Sequence, residues 1–152
     1  MRIIKSHEIT LYGGNEIGIV LRPLCDDDLP LLYKWGADPE VVYWSDTGNV
    51  NDFDEESVRS IYGNVSKNGL CFIAEAEGYP IGNFWLQKMN IPEVSALYPG
   101  LDVRRIEAEI GEKEYWGLGI GTAILHMLID YAFNGERVDV LHCFRRVTSL
   151  CL

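Results

Sequence analysis

A chain of 152 residues with 47% apolar content is long enough for one domain around one core, so a single domain over residues 1–152 is expected. Asp and Glu outnumber Lys and Arg by 23 to 13, and the formal charge of -10 argues against nucleic acid as a partner while allowing a polyamine or another cationic substrate. No apolar run reaches the length of a membrane span, and Met1-Arg2-Ile3-Ile4-Lys5 lacks the apolar stretch of a signal peptide, so a soluble cytoplasmic protein without membrane contact is expected.

In chain order, residues 3–12 alternate weakly and stop at Gly13-Gly14-Asn15, and residues 17–23 read as a second strand, which makes a leading hairpin. Asp26-Asp27-Asp28 supplies capping carboxylates for a short helix that tolerates Pro30 in its first turn. Its inner face is made either by Leu29, Leu32 and Trp35 or by Leu31 and Trp35. Asp38-Pro39 breaks that helix, leaving Tyr43, Trp44 and Asp46 in a loop. A second helix, capped by Asp54, runs to about Val65 with Val58, Ile61 and Tyr62 inward. Residues 69–75 and 79–87 are strands joined by a tight turn at Glu77-Gly78, and residues 89–104, with two prolines and Tyr98, read as a long loop. The four cysteines form no CxxC pair and the three histidines are scattered, so no metal site and only reduced thiols are expected.

The stretch from Arg105 to Asn134 carries the chemistry. Ile106, Ala108 and Ile110 alternate with Glu107 and Glu109, as a half-buried strand does. Gly117, Gly119 and Gly121 follow at every second position, and residues 122–133 read as a helix apolar on most faces, stopped by Asn134-Gly135. Strand, glycine bend and helix in that order gather free N–H groups and a positive dipole end, which suits a diphosphate. A nucleoside-triphosphate loop needs a lysine after its last glycine, and Gly121 is followed by Thr122-Ala123. The dinucleotide fingerprint needs a third glycine where Thr122 or Ile124 stands. A last strand is expected at 138–144.

Trp116-Gly117-Leu118-Gly119-Ile120-Gly121 resembles the acyl-CoA loop of the GNAT N-acetyltransferases, Gln/Arg-x-x-Gly-x-Gly/Ala, with Trp116 where Gln or Arg is usual. The same substitution marks the branch whose loops read Tyr-Trp-Gly-x-Gly-x-Gly-Thr, which includes ribosomal-protein alanine acetyltransferases and some aminoglycoside 6'-N-acetyltransferases. Arg22-Pro23-Leu24, followed by Asp27-Asp28, resembles the opening of that branch, and Glu77-Gly78-Tyr79-Pro80-Ile81-Gly82-Asn83 resembles its third strand. The element order agrees over nearly the whole chain. The resemblance implies an α+β fold, an α/β three-layer arrangement with a mixed, mostly antiparallel sheet. Residues 145–152 match none of the helix and closing strands that usually follow, so a truncated or divergent end after about residue 144 is expected. An edge strand exposed that way would leave room for a homo-oligomer.

The implied activity is transfer of an acetyl group from acetyl-CoA to a primary amine of a cationic small molecule, foremost the 6'-amine of an aminoglycoside. Acetylation of a protein N-terminus is the alternative within the enzyme class, and a non-catalytic CoA-binding fragment is the alternative outside it. The resemblance places the cofactor at Ile110, Trp116, Gly117, Leu118, Gly119, Ile120, Gly121 and Thr122, with backbone around Ile110 binding the pantetheine. Glu107, nine residues before Trp116, stands where the aminoglycoside enzymes carry the acid that takes the amine's proton. Glu109, on the same face, is expected to hold substrate charge or share that task. Trp44, Tyr62, Trp85 and Tyr98 are expected to line the acceptor site, with Asp46 a further candidate. Core packing explains Trp85 as well, and a solvated polar strand face explains both glutamates.

Overall fold

The computed structural model describes residues 2–44 and 54–143. Leu11–Gly14 (β1) and Gly18–Pro23 (β2) form the leading hairpin, in register from Leu11↔Leu21 to Gly14↔Gly18. The alternation expected from residue 3 becomes strand only at Leu11, because the preceding backbone is bound elsewhere. The Ile3 and Ile4 N–H groups each donate to the Asp26 carboxylate at 3.0 Å, and the Lys5 N–H donates to Ser66 Oγ at 3.0 Å.

A 3-10 turn at Asp26–Asp28 leads into α1 (Leu29–Gly36), which buries Leu32 and Trp35. Pro39 then opens a new helix instead of a loop: Asp38 accepts the Glu40 N–H with its side chain and the Val42 N–H with its carbonyl, both at 3.0 Å. Proline is well placed at a first helical position, and α2 (Pro39–Trp44) results. Asp54 caps α3 (Glu55–Asn68) by accepting the Ser57 N–H at 2.7 Å.

Glu77 and Gly78 both have positive φ, 49° and 85°, the backbone of a two-residue hairpin turn whose twist matches its strands. It joins β3 (Gly69–Ala76) to β4 (Tyr79–Lys88). The long connection that follows holds one turn of helix, α4 (Pro92–Ser95), before β5 (Val103–Ile110), α5 (Ile120–Asp130) and β6 (Val140–Cys143). The sheet order is β1-β2-β3-β4-β5-β6, antiparallel throughout except for the parallel pair β5–β6.

Helix α5 covers one sheet face over Leu21, Phe72, Phe84, Leu86 and Ile106, while α1, α2 and α3 cover the other over Leu24, Cys71 and Ile73. These are the three layers of the expected mixed-sheet α+β architecture. Helix α5 is less enclosed than its composition suggests, with Ile129 and Phe133 at the surface. None of the described helices is long and apolar enough to cross a membrane. Asp46 and the tail after Cys143 lie outside the described residues, as do the expectations attached to them.

Candidate active site

The exit of β5 is held by close packing. A Cβ on Gly111 would sit 2.1 Å from Trp35 Cγ, so only glycine lets the indole lie against the chain there. Trp35 Nε1 in turn donates to Glu112 Oε2 at 2.7 Å, and Gly111 N–H donates to the Ile81 carbonyl at 2.8 Å. A 3-10 turn at Lys113–Tyr115 then delivers Trp116, whose Nε1 donates to the Ile110 carbonyl at 2.9 Å. Of the backbone groups around Ile110, the carbonyl thus already has a partner within the chain.

Beyond Trp116 the bend is open. Gly117 and Gly119 both have φ of 76°, and a Cβ placed on either would meet nothing within 4 Å. Leu118 between them is 56% exposed. Gly119 is the N-cap of α5 and offers no side chain to its first turn, so the N–H groups of Ile120, Gly121 and Thr122 lack the intrahelical acceptors that later residues have. Partial positive charge therefore gathers on an open stretch of main chain. Along the strand leading to it, the described part of β6 pairs with β5 up to Ile106↔Cys143, while β5 continues to Ile110. The edge of residues 107–110 away from β4 thus has no strand partner among the described residues.

On the face under α3, β4 and β5 place polar groups opposite one another: Asn83↔Glu109, Trp85↔Glu107 and Gln87↔Arg105. Tyr62 Oη on α3 donates to Asn83 Oδ1 at 3.0 Å, and Asn83 Nδ2 donates to Glu109 Oε1 at 2.9 Å. The Tyr62 ring tilts against Trp85 with centroids 5.3 Å apart. Glu107 is 6% exposed and forms an ion pair with Arg105, whose side chain is also buried. Burial pushes the Glu109 carboxyl up to about 7 in spite of the Asn83 hydrogen bond, and burial followed by the charge of Glu109 pushes the Tyr62 phenol well above its ordinary range. Trp85 Nε1 is buried with no hydrogen-bond partner among the described residues.

The alternation along β5 assigns its faces differently from a strand with solvated glutamates. Both carboxylates lie on the face under the helices, and Ala108 on the opposite face is exposed. Of the residues expected at the acceptor site, Tyr62, Trp85, Glu107 and Glu109 converge. Trp44 instead ends α2, 44% exposed against Tyr43, and Tyr98 stands against His142 of β6 with ring centroids 5.8 Å apart. Asn83 and Arg105, which organise the two carboxylates, escape sequence reasoning. The available signal for Asn83 is an amide directly after Gly82, in the middle of a strand whose neighbours Ile81, Phe84 and Trp85 are apolar.

The geometry has counterparts among solved proteins. Aminoglycoside acetyltransferase AAC(6')-Ib in complex with coenzyme A superposes with a TM-score of 0.67 at 22% identity, over 87% of this chain and 77% of that one. RimJ from Mycobacterium smegmatis in complex with CoA-disulfide gives 0.71 at 20% identity, over 93% of this chain and 70% of that one. A possible acetyltransferase from Clostridium difficile 630 gives 0.63 at 12%, over 87% and 82%. At such identities the likeness establishes the fold. The family model of the GNAT acetyltransferase domain matches residues 19–147, most of the sequence, and on that basis the chain belongs to the GNAT acetyltransferases.

Proposed function

We propose that this protein transfers the acetyl group of acetyl-CoA to a primary amine of a cationic small molecule, with an aminoglycoside 6'-amine as the preferred acceptor. The observation that carries the reading is the convergence of Glu107, Glu109, Tyr62 and Trp85 beside the strand whose end opens into the glycine bend. A cation would be drawn by the Glu109 carboxylate, which has no guanidinium partner among the described residues, and packed by the two aromatic rings. Support also comes from the AAC(6')-Ib neighbour, which was crystallised with coenzyme A and kanamycin.

The donor fits the opposite side of the same strand. The N–H groups of Ile120, Gly121 and Thr122 would hold its diphosphate, and the edge of residues 107–110, which has no strand partner among the described residues, would line its pantetheine arm. The thioester, when bound, supplies an activated acetyl carbon and a thiolate leaving group. Trp116, tied to the Ile110 carbonyl, sets the angle between strand and bend, so donor and acceptor sites stay in fixed relation.

Calorimetric titration with CoA, followed by thiol-release assays on kanamycin, spermidine and a peptide with a free N-terminus, tests the reading. The expected result is CoA binding and fastest turnover on kanamycin. Fastest turnover on the peptide would favour the N-terminal acetyltransferase reading, and binding without turnover on any of the three would overturn the transferase assignment.

A further inference from the structure

We propose that the end of the sheet remote from the glycine bend carries a second ligand site, an open basic pocket that binds the phosphate group of a small phosphorylated compound. The inference goes beyond the transferase reading and does not depend on it.

The five lysines of this acidic chain divide into two sets. Lys34 pairs with Glu112 at 3.0 Å, and Lys113 pairs with Asp38 at 3.0 Å and Glu40 at 3.1 Å. The side chains of Lys5, Lys67 and Lys88 have no ion-pair or hydrogen-bond partner among the described residues, and all three line one pocket of about 460 Å³. Asp and Glu exceed Lys and Arg by 23 to 13, so three unpaired ammonium groups in one place mark a local reversal of sign. Arg104, a fourth cation in the lining, is matched by Asp102, to which its Nε donates at 2.8 Å and its Nη2 at 3.0 Å. Glu136 is the one acidic residue in that lining.

Three segments distant in sequence build the pocket. Lys67 lies in the last turn of α3, and Gly69 opens β3. A Cβ on Gly69 would sit 2.5 Å from the Leu86 carbonyl oxygen and 2.7 Å from Gln87 Cα, so only glycine lets the helix turn directly into the strand beside β4. Lys88 ends β4 opposite Arg104 in the β4–β5 register, and like charges so placed repel. The end of α3, worth about half a negative charge, and Glu136 together offset about half of the three lysine charges, so the pocket stays positive.

Lys5 stands on the segment ahead of β1, which is tied to α3 and β3. Its N–H donates to Ser66 Oγ at 3.0 Å, and Ser66 Oγ donates to the Gly63 carbonyl at 3.0 Å. His7 uses both ring nitrogens inside the fold: Nδ1 accepts the Ile9 N–H at 3.1 Å, and Nε2 donates to the Cys71 carbonyl at 2.9 Å. The His7 ring also meets Phe72 edge-on, with centroids 4.9 Å apart. The wall that carries Lys5 is therefore fixed before any ligand arrives, which lowers the ordering cost of binding.

The charge and donor count match a phosphate monoester. At pH 7 such a group carries about 1.5 to 2 negative charges and three strong acceptor oxygens. Ammonium groups serve it as point charges with three donors each. The volume exceeds a bare phosphate and falls in the range of small-molecule sites, so a small organic body is held along with it. Arg104 and Ile110 are six residues apart on β5, about 20 Å of strand, so a ligand here does not overlap a diphosphate at the bend.

The test is an amide NMR titration of the whole chain with inorganic phosphate and, separately, phenyl phosphate, at constant ionic strength against a sodium chloride control. Saturable shifts are expected at residues 5–7, 67–70, 88 and 104, with a Kd on the order of 1 mM. Tighter binding of phenyl phosphate identifies a phosphate monoester as the ligand, and equal affinities identify free phosphate. Lys67→Gln and Lys88→Gln should each weaken binding about threefold to fivefold, and replacing Lys5, Lys67 and Lys88 together by Gln should abolish it. Arg59→Gln, which removes an exposed cation from the same helix as Lys67 but outside the pocket, should leave affinity within about twofold. The amide spectrum of each variant reports its fold directly. Shifts confined to residues 117–122, shifts reproduced by chloride, or a triple variant that binds phosphate as the wild type does overturn the proposal. None of these outcomes bears on acetyl transfer, which the thiol-release assays read separately.

Discussion

Replacing Glu109 by Gln should make the protein more stable, and by an amount that depends on pH. Burial raises the carboxyl from its ordinary 4.5 to about 7. Holding it ionised in the fold therefore costs about 3 kcal/mol, a rise of about 2.5 in pKa at about 1.4 kcal/mol each. The folded state binds the proton more tightly than the unfolded chain does, so stability falls as pH climbs from about 4.5 through about 7. Gln keeps an oxygen for the Asn83 Nδ2 bond and carries no charge to bury. Glu109→Gln should then exceed wild type by about 3 kcal/mol at pH 8 and by under about 1 kcal/mol at pH 5. For a domain of this size that is about 6–12 °C in Tm at the higher pH. Urea unfolding at pH 5, 6, 7 and 8 measures the difference directly. A gap of constant size across that range, or a less stable variant at pH 8, would refute the reasoning that burial governs this carboxyl.

Other substitutions separate the binding surface from its support. Gly119→Ala puts a methyl into the open bend at φ of 76°, so it should cost about 1–2 kcal/mol in stability and weaken CoA binding by about tenfold or more, read by calorimetry. Gly111→Ala drives a Cβ to 2.1 Å from Trp35 Cγ and should destabilise by about 2 kcal/mol or more in thermal unfolding, because neither indole nor strand can retreat. Asp28 receives Arg22 Nη1 at 2.9 Å and Nη2 at 2.8 Å; burial alone would raise its carboxyl, but Arg22 and the Cys25 hydrogen bonds together hold it below the usual range. Asp28→Asn should cost about 3 kcal/mol at pH 7, and the wild type's advantage should fade in acid as pH falls below 3.8 through the lowered pKa.

What the sequence makes legible is chemistry that closes over a few residues. Asp54 capping Ser57, the Glu77-Gly78 turn and the glycines ahead of α5 all follow from neighbours in the chain, and each stands where local reasoning puts it. Features set by distant partners read wrongly or not at all. The first strand begins late because Asp26, 23 residues on from Ile3, takes its N–H groups. The α2 helix exists because Asp38 turns a break into a cap. Asn83 belongs to the site only through its register with Glu109, 26 residues away, and no local pattern reports that pairing.

The faces of β5 show why the register matters more than the alternation. A period of two says that Glu107 and Glu109 share a face, but whether that face meets water or α3 depends on where the helices pack. Here the strand buries Glu107, half-buries Glu109 and exposes Ala108, the reverse of what apolar burial alone would select. Buried charge persists only with compensation, and the two carboxylates receive it in different kinds: a guanidinium for Glu107, a neutral amide for Glu109. A full countercharge stabilises the ionised form and holds it there. A neutral amide leaves that charge uncompensated, and burial pushes the Glu109 carboxyl up to about 7. Glu107 and Glu109, equivalent by the period of the strand, are therefore set apart by their partners, Arg105 and Asn83.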